Sequence, residues 1–153
     1  MRKSVFVAAL ALLAVGLFLA ACGKSEKPQA TPAPTHTMPN NISTTYETLD
    51  VQTAYTRFQQ TDSAILVDVR TPEEWAATGI VPGARLISLD QFEQRAPAEL
   101  PKETPIFVIC NSGNRSRVAS ETLVRLGYSQ VFNIDGGIQA WLRANLPTEA
   151  YKP

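Results

Sequence analysis

The sequence predicts an α/β domain: a mostly parallel central sheet of about five strands with helices on both faces. Three observations carry this expectation. Residues 46–153 alternate short apolar runs with segments whose apolar residues recur at helical spacing. The runs are almost unbroken by polar residues, the mark of a strand buried on both faces. Strand–helix alternation of this kind builds a parallel sheet with crossover helices.

Asp50 is placed to N-cap a first helix that carries Val51, Ala54, Tyr55 and Phe58 at helical spacing. Ala64 to Val69 is a buried strand. Thr71-Pro72-Glu73-Glu74 starts the next helix: Thr71 is the N-cap, Pro72 suits the first position, and Glu74 closes a capping box. Arg85 to Leu89 is a strand, Asp90 to Ala96 a helix and Ile106 to Ile109 another strand. Ser116 to Leu126 is a helix with Val118, Ala119, Thr122, Leu123 and Leu126 on one face, and Gly127 caps it. Val131 to Ile134 is a strand. Gly137 to Ala144 is a last helix with Ile138, Trp141 and Leu142 packing inward; Trp75 and Trp141 read as core.

The chain has 153 residues, a length that suggests one domain. Lys and Arg number 14, as do Asp and Glu, so the formal net charge is zero, which speaks against a nucleic-acid partner held by bulk charge. Hydrophobic residues make up 44%, which excludes a wholly disordered chain. Two cysteines, Cys22 and Cys110, and the single histidine His36 are too few for a disulfide scaffold or a structural metal site, so no metal and no cofactor are expected. His36 lies outside the folded part, which removes Ser-His-Asp and Cys-His catalysis.

The first 45 residues read as an address and a tether. Arg2 and Lys3 precede Val5 to Ala21, a segment without charge that is shorter than the about 20 residues a spanning helix needs. It fits the apolar core of a secretory signal, residues 1–21. Its end, Leu19-Ala20-Ala21-Cys22, resembles the lipobox of bacterial lipoproteins. That resemblance implies cleavage before Cys22, a lipid on its sulfur and a membrane anchor in the periplasm. Gly23 in place of Asp favours the outer over the inner membrane. Residues 22–45, with Pro28, Pro32, Pro34 and Pro39 among Thr, Ala, Asn and Ser, are a linker with too few large apolar side chains to pack. Residues 46–153 are the folded domain. Lipidation leaves Cys110 the one free thiol, with no partner for an internal disulfide even in an oxidising compartment.

Chemistry concentrates in Cys110-Asn111-Ser112-Gly113-Asn114-Arg115-Ser116, where a buried strand delivers a cysteine to its own carboxyl end and a helix starts after a short loop. Ligands in parallel α/β sheets sit at that end of the strands. The helix N-terminus carries partial positive charge, successive loop amides can form an anion nest, and Gly113 permits the backbone angles this needs. Arg115 adds a permanent positive charge and a planar fork of donors. Together these favour thiolate over thiol at Cys110 without a general base. The plainer reading, an inert buried cysteine before an ordinary helix, leaves Gly113, Arg115 and Ser116 at these offsets unexplained.

This loop resembles the active-site loop of rhodanese-like sulfurtransferases. Leu66-Val67-Asp68-Val69-Arg70 with Glu73-Glu74-Trp75 is similar to that family's entry motif. Gly79-Ile80-Val81-Pro82-Gly83-Ala84 resembles its Gly-His-Ile-Pro-Gly-Ala segment, and Asp135-Gly136-Gly137-Ile138-Gln139-Ala140-Trp141 its closing motif. The resemblance implies transfer of sulfane sulfur from a small anionic donor such as thiosulfate, through a persulfide on Cys110, to a thiol or cyanide acceptor. The amides of residues 111 to 116 would hold the persulfide, and Arg115 would orient the leaving oxyanion. Cys110 and Arg115 enclose four residues, as in sulfurtransferases, where the related phosphatases enclose five. Two other readings share the loop: a sulfur-carrying or redox-sensing module without turnover, and a phosphatase or arsenate reductase.

The chain departs from the family at Ile80, which stands at a frequent His and reads as packing, and at Asn111, where some thiosulfate-preferring members carry a basic residue. Asp68 and Arg70 either brace the loop by hydrogen bonds or form an ion pair with Glu73 or Glu74. Arg117 is expected to face water, and Asn114 either the pocket mouth or solvent.

Overall fold

The computed structural model describes residues 45–153. The expected signal segment 1–21, Cys22 and His36 lie outside the described residues, as does the linker up to residue 44.

Five strands form one fully parallel sheet in the order β1-β5-β4-β2-β3: β1 (Glu47–Leu49), β2 (Ile65–Asp68), β3 (Arg85–Leu86), β4 (Ile106–Ile109) and β5 (Val131–Ile134). The helices are α1 (Val51–Gln60), α2 (Pro72–Thr78), α3 (Leu89–Glu99), α4 (Asn114–Arg125) and α5 (Gly137–Arg143). The α/β class with a five-stranded parallel sheet is as expected.

Alternation along the central strands divides the core between two faces. Ile106, Val108 and Cys110 pack with Phe92, Ala96, Ala119 and Leu123 under α3 and α4. Phe107 and Ile109 pack with Ala54, Ile138 and Trp141 under α1 and α5. All four β4 residues are buried, which is why that strand reads as an unbroken apolar run.

The caps expected from sequence are made. Asp50 accepts the Gln52 and Thr53 amides at 2.9 and 3.0 Å. Thr71 and Glu74 exchange both bonds of the capping box. The last turn of α4 closes with Tyr128 N–H on Leu123 O and Gly127 N–H on Val124 O, both at 3.0 Å, with Gly127 at φ +87° as that Schellman closure requires. Gly127 therefore follows the capping residue, Leu126.

Several boundaries and faces differ from expectation. β1, three residues ending at Leu49, is a strand the sequence reading did not place; only Leu49 of the three is buried, so no apolar run marks it. β3 stops at Leu86 because Ser88 is already the N-cap of α3, and α3 continues through Pro97 to Glu99. α4 begins at Asn114, two residues earlier than expected. Val118 and Leu142, expected on inward faces, are exposed large hydrophobics. Ile80 is packed as expected, and its backbone pairs with Glu149.

Candidate active site

β4 ends at Ile109, and the next residue, Cys110, starts a turn over the carboxyl end of the sheet. Asn111, Ser112 and Gly113 form the turn, while Asn114, Arg115 and Ser116 are the first turn of α4. Gly113 is the N-cap of α4 at φ +100°, a left-handed conformation that favours glycine. A Cβ there would also stand 3.0 Å from Asp135 Oδ1 and 3.1 Å from the Gly136 nitrogen.

The Gly113 N–H donates to Cys110 Sγ at 3.1 Å. Burial pushes the thiol pKa up. The Ser116 hydroxyl and the amides of Ser116, Gly113 and Ser112 outweigh it, and the pKa falls below its ordinary value. The Ser116 hydroxyl also donates to Gly113 O at 3.0 Å; its one proton serves either acceptor, and a thiolate is the stronger claimant. Cys110 is 1% exposed, so a reagent must enter the loop to reach the sulfur. The burial is that of an inert core cysteine; the amides aimed at the sulfur are not.

The loop floor is fixed by the segment after β5. Ile138 N–H donates to Cys110 O at 2.7 Å and Gln139 N–H to Asn111 O at 3.2 Å. Gly137, at φ +56°, lies so close beneath that a Cβ would collide with Cys110 O and come within 2.6 Å of Asn111 C and O. Sequence reasoning gave Gly137 no role beyond helix start; the signal available was a Gly-Gly pair before a helix.

Arg115 does not stand free at the loop mouth. Its Nη1 and Nη2 donate to Glu74 Oε2 and Oε1 at 2.7 and 2.6 Å. Hydrogen bonds from Arg115 offset burial and hold the Glu74 carboxyl down at about 2. Glu74 in turn raises the Arg115 pKa. The sequence assigned Glu74 to its capping box and, as one alternative, to an ion pair with Arg70, not to Arg115; the contact spans 41 positions, which no local spacing reveals.

Asp68 and Arg70 pair with each other. Both are fully buried, with Nη2 to Oδ2 at 2.7 Å and Nε within 3.0 Å of both carboxylate oxygens. Arg70 also donates to Thr78 Oγ1 at 2.6 Å, Gly79 O at 2.7 Å and Glu74 O at 3.3 Å. Neither sequence-based alternative describes this. Arg70 ties the end of α2 to the sheet, and α2 carries the carboxylate that grips Arg115, so any support of the loop is indirect. Arg117 faces solvent, paired with Glu121 at 2.9 Å, and Asn114 is exposed.

A parallel α/β sheet with a nest-bound cysteine at the end of its central strand is the setting in which the comparisons have meaning. Residues 50–144 match the family model for the rhodanese-like domain. This chain belongs to the rhodanese-like domain family. A sulfurtransferase of Allochromatium vinosum is 37% identical over 102 residues, covering 67% of this chain and 94% of that protein. The crystal structure of a rhodanese-related protein from Thermoplasma volcanium superposes with a TM-score of 0.61 at 27% identity, over 69% of this chain and 100% of that one. The solution structure of a 30 kDa polysulfide-sulfur transferase homodimer from Wolinella succinogenes gives a TM-score of 0.58 at 28% identity, over 68% and 78% of the two chains. The four rhodanese-like motifs of the sequence thus lie wholly within the matched region.

Proposed function

We propose that this rhodanese-like domain is a sulfurtransferase that carries sulfane sulfur on Cys110. The observation that supports it most is the set of donors on one sulfur: the Gly113 N–H at 3.1 Å, with the Ser112 and Ser116 amides and the Ser116 hydroxyl lowering its pKa. A site that stabilises a thiolate also stabilises the persulfide anion formed on it. The relationship to the Allochromatium vinosum sulfurtransferase points the same way.

In the reaction, the Cys110 thiolate attacks the outer sulfur of the donor. A new S–S bond forms and the donor's S–S bond breaks, its electron pair leaving on the departing group, which is sulfite when the donor is thiosulfate. An acceptor thiolate or cyanide then takes the outer sulfur and returns the Cys110 thiolate. Arg115 keeps N–H donors beyond the two that Glu74 engages, and these remain to bind the oxyanion of the donor. The loop encloses four residues between Cys110 and Arg115, a cradle sized for sulfur, so no aryl-phosphate hydrolysis is expected.

The lipobox-like ending at Cys22 supports the further reading that the domain is lipid-anchored in the periplasm, at the outer membrane. Incubation with a sulfane-sulfur donor tests the reaction: one sulfur mass should add to the protein, and none to Cys110→Ser. Turnover measured beside loading separates an enzyme from a carrier, because a carrier accepts sulfur yet gives negligible steady-state rates with small acceptors.

A further inference from the structure

We infer that Glu74 determines which sulfane-sulfur donors the site accepts, turning it away from dianions such as thiosulfate and towards singly charged donors such as organic thiosulfonates. The inference rests on the sulfurtransferase reading above and concerns the charge of the substrate of that same site.

Among loop residues 110–116, Arg115 is the one cation. Glu74 meets it end-on through two bonds of 2.7 and 2.6 Å, and both side chains are about one-third exposed, at 34% and 30%. The carboxylate is fixed in this position. Its Oε2 also accepts the Thr71 amide at 3.0 Å, so the capping box of α2 aims it at Arg115. Arg70 anchors the other end of α2 through Thr78 and Gly79. With its pKa near 2, Glu74 stays anionic throughout the working pH range. Arg70 adds no free charge because Asp68 neutralises it, and Arg117 is paired with Glu121 in solvent.

The formal charge around the loop is therefore that of a thiolate, a guanidinium, the Glu74 carboxylate and the Asp135 carboxylate beside Gly113, a net of two negative. Thiosulfate brings two negative charges towards it, and an organic thiosulfonate brings one. The step balances for both. Thiolate plus thiosulfate gives persulfide anion plus sulfite; thiolate plus thiosulfonate gives persulfide anion plus sulfinate. The donors differ by one unit of charge near Glu74, which at a few ångströms in a partly solvated site corresponds to about tenfold in rate.

The experiment compares kcat/KM for thiosulfate and methanethiosulfonate, with cyanide as acceptor, in the full-length protein and in Glu74→Gln. Glutamine keeps the capping box, since it accepts the same amide. The expected result is a rise of about tenfold in the thiosulfate-to-methanethiosulfonate ratio. Changes in Cys110 nucleophilicity act on both donors and cancel in the ratio, so a merely structural role leaves it still. The shift must shrink in Glu74→Gln/Arg115→Gln, where no guanidinium is freed, and must recur in Glu74→Ala, which lacks both charge and cap. An unchanged ratio with both donors turning over overturns the assignment of Glu74 alone. Absence of a persulfide with either donor in every variant overturns the sulfurtransferase reading on which it stands.

Discussion

The amide of Gly113 points at the sulfur of Cys110 across 3.1 Å, at the N-terminus of a helix that begins one residue later. That one bond joins strand, turn and helix. β4 supplies the cysteine, the left-handed glycine turns the chain, and α4 presents its unpaired amides to the anion.

The lowered pKa of Cys110 makes reactivity depend on pH with a definite sign. The thiolate is populated above its depressed pKa and lost as pH falls through it. Alkylation by iodoacetamide should therefore reach half its plateau at a lower pH than for an ordinary free cysteine. Ser116→Ala removes the largest of the stabilising bonds and should move that midpoint upward. A midpoint that stays put in Ser116→Ala shows that the hydroxyl serves only Gly113 O.

Gly137 is a test of the loop floor. In Gly137→Ala the added methyl meets the carbonyls of Cys110 and Asn111, and φ +56° is unfavourable for alanine. The variant should lose about 1–3 kcal/mol of stability by urea denaturation. It should also lose sulfur-transfer activity at temperatures where it remains folded, since the collision displaces the backbone that carries the sulfur.

The Asp68–Arg70 pair is fully buried, so removing one partner strands the other. Arg70→Met should destabilise the domain by about 3–5 kcal/mol. Because the pair holds α2 rather than touching the loop, the alkylation midpoint of Cys110 should shift little in whatever fraction stays folded.

The acid limb of stability carries the mark of Glu74. Its folded pKa of about 2 lies below the ordinary 4.5, so its contribution is complete above the ordinary value and is lost as pH falls towards 2. Glu74→Gln should flatten the fall in the urea midpoint across that window. Equal slopes in the two proteins would mean that the bond to Arg115 adds nothing in solution.

Much of this was legible in the sequence, and the exceptions have physical reasons. The strands β2, β4 and β5 and the capping box at Thr71 declare themselves because burial on both sheet faces and local hydrogen bonding leave patterns within a few residues. So did the loop, since a cysteine at a strand end followed by glycine and a helix start is a local arrangement. β1 escaped because it is a short edge strand with two exposed residues. The grip of Glu74 on Arg115 escaped because tertiary folding alone brings those positions together. Asp68 and Arg70 were recognised as a site, but not as partners of each other, because Arg70 lies beyond the end of β2 in a bend that turns both its amide and its guanidinium onto Asp68.

The central claim is that Cys110 accepts a sulfur atom. The most direct test is the intact mass of the full-length protein after exposure to excess thiosulfate or methanethiosulfonate. The account predicts a gain of one sulfur, its removal by cyanide, and no gain in Cys110→Ser. A wild-type mass unchanged by both donors, or an equal gain in Cys110→Ser, would contradict it.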